Sequence, residues 1–266
     1  MKKFLTILMT ALMSVVCVFG AVGCTPANEK TLYVYTNAGF PPYEYLNTDG
    51  KVVGVDIDIM NEIGKELGYE VVINDIDFEQ ILNEVASNKY AIGAAGMTKK
   101  PDRDEVATAS ISYATSVQYV IVAKGVFDSA DLVDGKLDIA KLAEISINGI
   151  GVQSGTTGSF LVEDATAEGA ALEGKKMFEY KDAIIASQDI GSTVGAVVID
   201  KLPAQMIAED NDNLECFELN AEPESYVLYL NKEATELLTE VNKVLQSLID
   251  SGKVDQFVLT HSGANA

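Results

Sequence analysis

The spacing of apolar residues changes period repeatedly along this chain, and each change predicts an element. Thr31-Leu32-Tyr33-Val34-Tyr35 is rich in aromatic and β-branched residues and predicts a strand. Asn37-Ala38-Gly39-Phe40-Pro41-Pro42 predicts a turn. Val55, Ile59, Ile63 and Leu67 recur every four residues, and Gly68 follows them, so a helix over 55–67 is expected. Val71-Val72-Ile73 reads as a strand, residues 78–87 as a helix with Phe78, Ile81, Leu82 and Val85 on one side, and residues 91–97 as a third strand. A β-α-β-α-β order predicts a parallel sheet covered by helices.

Gln118 to Ala123 is a further apolar strand, after which the grammar restarts. Strands are expected at 145–153, 176–180 and 196–200, a turn entering a helix at Ser154-Gly155-Thr156-Thr157-Gly158, and helices at 182–190 and from Pro203 to Ala208. Residues 125–144 are less regular and decorate the approach to this second unit. Ser225 to Leu230 reads as a returning strand. Thr235 to Ile249 is amphipathic, with Leu238, Val241, Leu245, Leu248 and Ile249 as its apolar stripe, Ser251-Gly252 as its stop and a short helix at 254–259 beyond. The expected class is α/β with two lobes, each a mainly parallel sheet flanked by helices, joined by two hinge crossings near 118–124 and 222–229. Lobe I would hold residues 31–121 and 227–266, and lobe II residues 122–226.

The first 30 residues follow another pattern. Lys2 and Lys3 precede an apolar run from Phe4 to Val22, and small residues lead into Cys24. This describes a secretory signal over 1–23 and a polar tether over 24–30. Ala21-Val22-Gly23-Cys24 resembles the lipobox of bacterial lipoproteins, which implies lipidation of Cys24, although Ala21 stands where leucine is usual. The alternative is an uncleaved helix, since the run is long enough to span a bilayer. Either arrangement keeps the body at the extracytoplasmic face of the membrane.

Charge and rare residues narrow the chemistry. The 266 residues carry a formal net charge of −21, which argues against a nucleic-acid partner. A single histidine, His261, argues against a Ser-His-Asp or multi-histidine metal site, so no metal is expected. Of the three cysteines only Cys216 lies in the body, where it reads as a buried apolar thiol with no disulfide partner. Arg103 follows an apolar run that reads as a strand end, and a guanidinium there can grip a carboxylate with two parallel hydrogen bonds. Its duller reading is a surface ion pair. Gly155-Thr156-Thr157-Gly158 is either a plain helix cap or an anion site at a helix start, and it lacks the Gly-Lys-Ser/Thr ending of a phosphate loop. Asp200 can cap the next helix or face a ligand. Phe40 and Phe78 can be core or pocket wall. Asp56 and Asp58 read as first-turn acids that stabilise a helix.

Six segments stand in one order: Thr36 to Tyr45; Gly54-Val55-Asp56-Ile57-Asp58; Asp77-Phe78; Ala95-Gly96-Met97-Thr98 with Arg103; Gly151 to Gly158; and Val198-Ile199-Asp200. Together they resemble the extracellular solute-binding proteins of polar amino-acid ABC transporters, over about 31–259. The resemblance implies a periplasmic-binding-protein-like type II fold that closes about its hinge on a free amino acid, with no cofactor and no catalysis. It implies that Arg103 and Thr98 take the ligand α-carboxylate, with N–H groups from Thr156 and Thr157 in the second lobe. Gly96 offers a carbonyl and Asp200 a carboxylate to the α-ammonium. Phe40 and Phe78 wall the ligand side chain, which Asn37 and Gln153 contact. Asn37 stands where acids often accompany basic ligands, so an uncharged polar amino acid is expected. Lys100 replaces a frequent threonine cap, and the chain has no tryptophan where the family often has one near its end. The implied partners are a membrane permease and a lipid anchor, and the implied state is a monomer. Two alternatives share the fold: an exported carbon–oxygen lyase of the cyclohexadienyl-dehydratase kind, using a glutamate as general acid, and a sensory lipoprotein.

Overall fold

The computed structural model describes residues 30–263. The signal, the tether and Cys24 therefore lie outside the described residues, apart from Lys30. Among the described residues no helix is long and apolar enough to cross a membrane.

Two five-stranded sheets organise the molecule. The first has the order Tyr69–Asp75, Lys30–Thr36, Ala91–Gly93, Tyr229–Leu230, Thr108–Ala109. Lys30–Thr36 and Ala91–Gly93 run parallel, as the β-α-β reading requires, while Tyr229–Leu230 returns antiparallel between Ala91–Gly93 and Thr108–Ala109. The second has the order Lys176–Tyr180, Gly149–Gln153, Ala196–Asp200, Gln118–Ala123, Leu214–Glu218. Its first three strands are parallel, and Gln118–Ala123 is antiparallel to both neighbours. Gly149–Gln153 and Ala196–Asp200 are buried throughout, as sheets covered on both faces demand.

The chain passes between the sheets along a two-stranded antiparallel ribbon, Ala114–Ser116 with Glu224–Tyr226. This corrects the expected first crossing: Gln118–Ala123 is an inner strand of the second sheet, and the switch of sheet comes before it. The expected strand 225–230 is likewise two strands. Glu224–Tyr226 belongs to the ribbon and Tyr229–Leu230 to the first sheet, and an apolar run alone does not mark the change of partner.

Helices follow their patterns closely. Val55–Leu67 buries Val55, Ile59 and Ile63 and ends on Gly68 with φ 70°, the left-handed conformation that glycine adopts without a Cβ penalty. Thr235–Asp250 buries Val241, Leu245 and Leu248, with Leu238 and Ile249 packed at the margin. The segment 78–87 is a 3₁₀ turn, Phe78–Gln80, leading into the helix Ile81–Ser87. The irregular stretch 125–144 holds a short hairpin and the 3₁₀ segment Ile139–Glu144. His261 lies in the last helix, Lys253–His261, and its ring bridges Tyr45 Oη at 3.0 Å and Asp58 Oδ2 at 2.9 Å. Asp58 thereby anchors the chain end as well as opening its own helix. Cys216 is a free thiol that is only half-buried against the core.

Candidate functional site

A small cavity lies where the ends of both sheets meet. Phe40, Glu44, Phe78, Ala95, Gly96, Thr98, Arg103, Gln153, Thr156, Thr157 and Asp200 line it. Nine of the ten residues singled out in the sequence are among them, and Asn37 is not.

The first-sheet wall is shaped by a buried carboxylate. Asp56 is fully buried at the start of the Val55–Leu67 helix, where its Oδ2 accepts the Gly96 N–H at 2.9 Å and both oxygens accept from Tyr113 Oη at 2.7 and 2.8 Å. Burial pushes its pKa up to about 6, against the pull of those donors. Asp56 is thus more than a helix-dipole acid. It holds the turn that ends the Ala91–Gly93 strand three residues after its start, where a longer strand was expected. Gly96 has φ 52°, and a Cβ there would come within 2.6 Å of the Phe40 ring, so only glycine fits beside that wall. With its N–H used by Asp56, Gly96 has its carbonyl left to offer.

Arg103 sits in the short helix Pro101–Val106, whose N-cap residue Lys100 makes no side-chain cap. The expected loss of that cap is present, and Lys100 instead lies over the Phe160 ring, 4.0 Å from its centre. Arg103 is 5% exposed, which removes the surface ion-pair reading. Its Nη1 donates to Thr98 O at 2.9 Å and its Nη2 to Gly155 O at 3.1 Å, and the group lies 5.3 Å over the Phe78 ring. Both bonds go to neutral carbonyls, and among the described residues no carboxylate pairs with it. Burial lowers its pKa, which means the charge is under-compensated.

The second-sheet wall comes from strand and helix ends. Thr156 caps the helix Thr157–Thr166, its Oγ1 accepting from Ser159 N–H and donating to Gln153 O. Its hydroxyl is therefore occupied by the cap, and what faces the cavity is the helix start. Gly155 has φ 72° in the preceding turn. Asp200 ends the Ala196–Asp200 strand and occupies the N-cap position of the next helix, yet makes no side-chain cap. That excludes the capping reading. It is 6% exposed, and its Oδ1 has no hydrogen-bond partner. Burial, then the nearby Glu224 charge, pushes its pKa up to about 7, while Tyr226, Ser116 and Gln118 pull it down.

Glu44 is the residue that sequence reasoning passed over. It is 1% exposed, its Oε2 has no partner, and burial among Asp56, Asp200 and Asp75 holds its pKa well above the usual carboxylate range. A signal existed: Phe40 and Glu44 are directly opposite in the hairpin Gly39–Phe40 with Glu44–Leu46, so a residue beside the Phe40 wall shares its face. Asn37 donates to Ile76 O at 2.7 Å and accepts from Gln153 Nε2 at 2.8 Å, so it fixes Gln153 rather than facing the cavity. Thr98 also differs from expectation, since its hydroxyl donates to Glu224 Oε2 at 2.5 Å.

Known proteins share this arrangement. The arginine-binding extracellular protein ArtP of Bacillus subtilis is 27% identical over 266 residues, covering 96% of each chain. An ancestral arginine-binding protein solved with arginine superposes with a TM-score of 0.76 at 28% identity, covering 88% of this chain and 98% of its own. The ancestral amino-acid-binding protein AncCDT-1, a precursor of cyclohexadienyl dehydratase, has a TM-score of 0.73 at 24% identity over 87% and 95% of the two chains, a likeness of fold alone. The model of the bacterial extracellular solute-binding proteins, family 3, matches residues 32–263, and the chain belongs to that family, with a solute-binding role in amino-acid transport.

Proposed function

We propose that this chain is the substrate-binding lipoprotein of an amino-acid ABC importer, and that it captures an amino acid with a cationic side chain. The observation that carries this reading is the pairing inside one cavity of a buried guanidinium lacking an anion with two buried carboxyl groups, Asp200 and Glu44, each with an oxygen lacking a donor. Buried polar groups without partners are costly, and a zwitterion supplies partners of both signs. The α-carboxylate pairs with Arg103 and the helix start at Thr157, where N–H groups are unspent. The α-ammonium pairs with Asp200 and the Gly96 carbonyl. Glu44 then has no counterpart in a neutral side chain and finds one in a cationic one. Asn37, which favoured an uncharged ligand, lies outside the lining, and the arginine-binding relatives point the same way.

Capture proceeds by closure. The lining comes from both sheets, so neither half holds both ends of the ligand, and contacts made only in the shut form draw the equilibrium there. A monomer anchored through Cys24 would present the shut form to a membrane permease at the extracytoplasmic face. Isothermal titration with L-arginine, L-lysine, L-ornithine, L-glutamine and L-cystine tests the ligand. Submicromolar L-arginine or L-lysine binding with none for L-glutamine is the expected outcome. Tighter glutamine binding overturns the cationic reading and keeps the amino-acid one. Glu44 also gives the lyase reading a candidate acid, because burial raises its pKa well above the usual carboxylate range. A carrier returns its ligand chemically unchanged after prolonged incubation, whereas a lyase does not. Loss of uptake and of membrane retention in a Cys24→Ala strain tests the anchor.

A further inference from the structure

Glu224 is absent from the cavity lining but touches the site from behind. It opens the ribbon strand Glu224–Tyr226, on the second passage between the sheets. Its Oε2 accepts from Thr98 Oγ1 at 2.5 Å and from Thr157 Oγ1 at 2.7 Å, and its Oε1 accepts from Gln118 Nε2 at 3.0 Å. Thr98 follows the Ala91–Gly93 strand of the first sheet. Thr157 opens a helix of the second lobe, and Gln118 begins the strand after the first passage. One carboxylate on the hinge therefore gathers one donor from the first lobe and two from the second. Hydroxyl bonds to a carboxyl oxygen this short are among the stronger hydrogen bonds in proteins.

The donor inventory gives this cluster a second consequence. A threonine hydroxyl has one proton and two lone pairs. At Thr98 and Thr157 that proton is spent on Glu224, and Thr157 Oγ1 also receives Gln118 Nε2 at 3.3 Å. Both threonines line the cavity, so what their oxygens offer a ligand is lone pairs alone. A lone pair repels a carboxylate and accepts from an ammonium. We infer that Glu224 is a positioning residue, which ties the two lobes together through Thr98 and Thr157 and so favours the shut form of the free protein as well, and which fixes both hydroxyls as acceptors, one of them completing with Asp200 and the Gly96 carbonyl the three partners of the ligand α-ammonium. The ligand half of this inference rests on the amino-acid-binding reading above; the lobe-tying half does not.

Glu224→Gln is the discriminating variant, because both hydroxyls meet Oε2: an amide nitrogen placed there donates to them, and an amide oxygen placed there sets its NH2 against the Gln118 Nε2 donor. Stopped-flow and titration are run with L-arginine and with 5-guanidinopentanoate, the same molecule without the α-ammonium. For L-arginine the variant is expected to raise Kd about tenfold or more, chiefly through faster dissociation. For 5-guanidinopentanoate the ratio of variant to wild type is expected to stay within about threefold, since no ammonium is lost. A Thr157→Val substitution in both backgrounds is expected to be non-additive with Glu224→Gln. An equal loss for both ligands, an unchanged Kd, or simple additivity overturns the acceptor role. Small-angle scattering of the ligand-free proteins reads the tie independently: a larger radius of gyration in Glu224→Gln and in Glu224→Ala than in wild type supports it, and equal radii overturn it. Should the wild type bind no free amino acid, the functional reading falls while the scattering comparison still decides the tie.

Discussion

Arg103 is held in the body by two carbonyls and a ring face, none of which carries a charge. Its removal therefore costs the ligand more than the fold. Arg103→Ala should weaken amino-acid binding by at least about a hundredfold, since two charge-assisted bonds are worth about 3–5 kcal/mol together. The unfolding midpoint in urea should move less than the affinity does, because the alanine relieves a desolvated charge, which offsets the loss of the donor to the buried Thr98 carbonyl. Titration and denaturation on the same preparation separate the two effects, and unchanged affinity would remove Arg103 from the site. Arg103→Lys keeps the charge without the planar fork and should recover only part of the loss. Gly96 behaves in the opposite way. A Cβ there meets the Phe40 ring at 2.6 Å on a backbone with φ 52°, so Gly96→Ala should lower stability by about 1–3 kcal/mol and distort the ligand side-chain wall as well.

At the scale of elements, the sequence was most legible where one partner surface decides the pattern. Val55–Leu67, Gln118–Ala123, Lys176–Tyr180 and Ala196–Asp200 begin and end where their apolar spacing does. It was least legible where a distant side chain overrides that spacing. The strand expected over 91–97 stops at Gly93 because Asp56, 40 residues earlier, captures the Gly96 N–H, and no local pattern announces that bond. The run 225–230 divides because its two halves pair with different sheets. Glu44 escaped for a related reason: its role follows from a hairpin register rather than from its own neighbours. Asp56 accordingly links an element to the site. Asp56→Ala leaves the Gly96 N–H and the Tyr113 hydroxyl without their acceptor in the interior, and a cost of about 2–4 kcal/mol in urea denaturation is expected, with weaker ligand binding. The last helix offers a control. His261 joins it to Tyr45 and Asp58, neither of which lines the cavity. His261→Ala should speed hydrogen exchange over 253–261 and leave the ligand Kd unchanged.

Across the whole molecule, the cleft concentrates protons as well as charge. Asp200, at about 7, and Asp56, at about 6, keep their protons longer in the folded chain than in the unfolded one, and burial raises Glu44 in the same direction. Stability of the ligand-free protein should therefore fall as pH rises from about 4 through 7, because the unfolded chain binds fewer protons throughout that window. The lowered carboxyls Glu62 and Asp131 do not oppose this trend, being ionised in both states above about pH 5. Ligand binding should have the reverse dependence. The α-ammonium needs Asp200 ionised, and the ionised fraction grows about tenfold from pH 6 to pH 8, so Kd should fall by a similar factor over that range. A cationic side chain that brings Glu44 to its charged form would release a further proton, visible as a dependence of the titration enthalpy on the buffer's own ionisation heat. Thermal midpoints with and without saturating ligand should thus diverge as pH rises, the free protein losing stability while the complex holds it. Should the ligand-induced shift instead stay level or shrink between pH 6 and pH 8, Asp200 would not be the group that meets the ammonium.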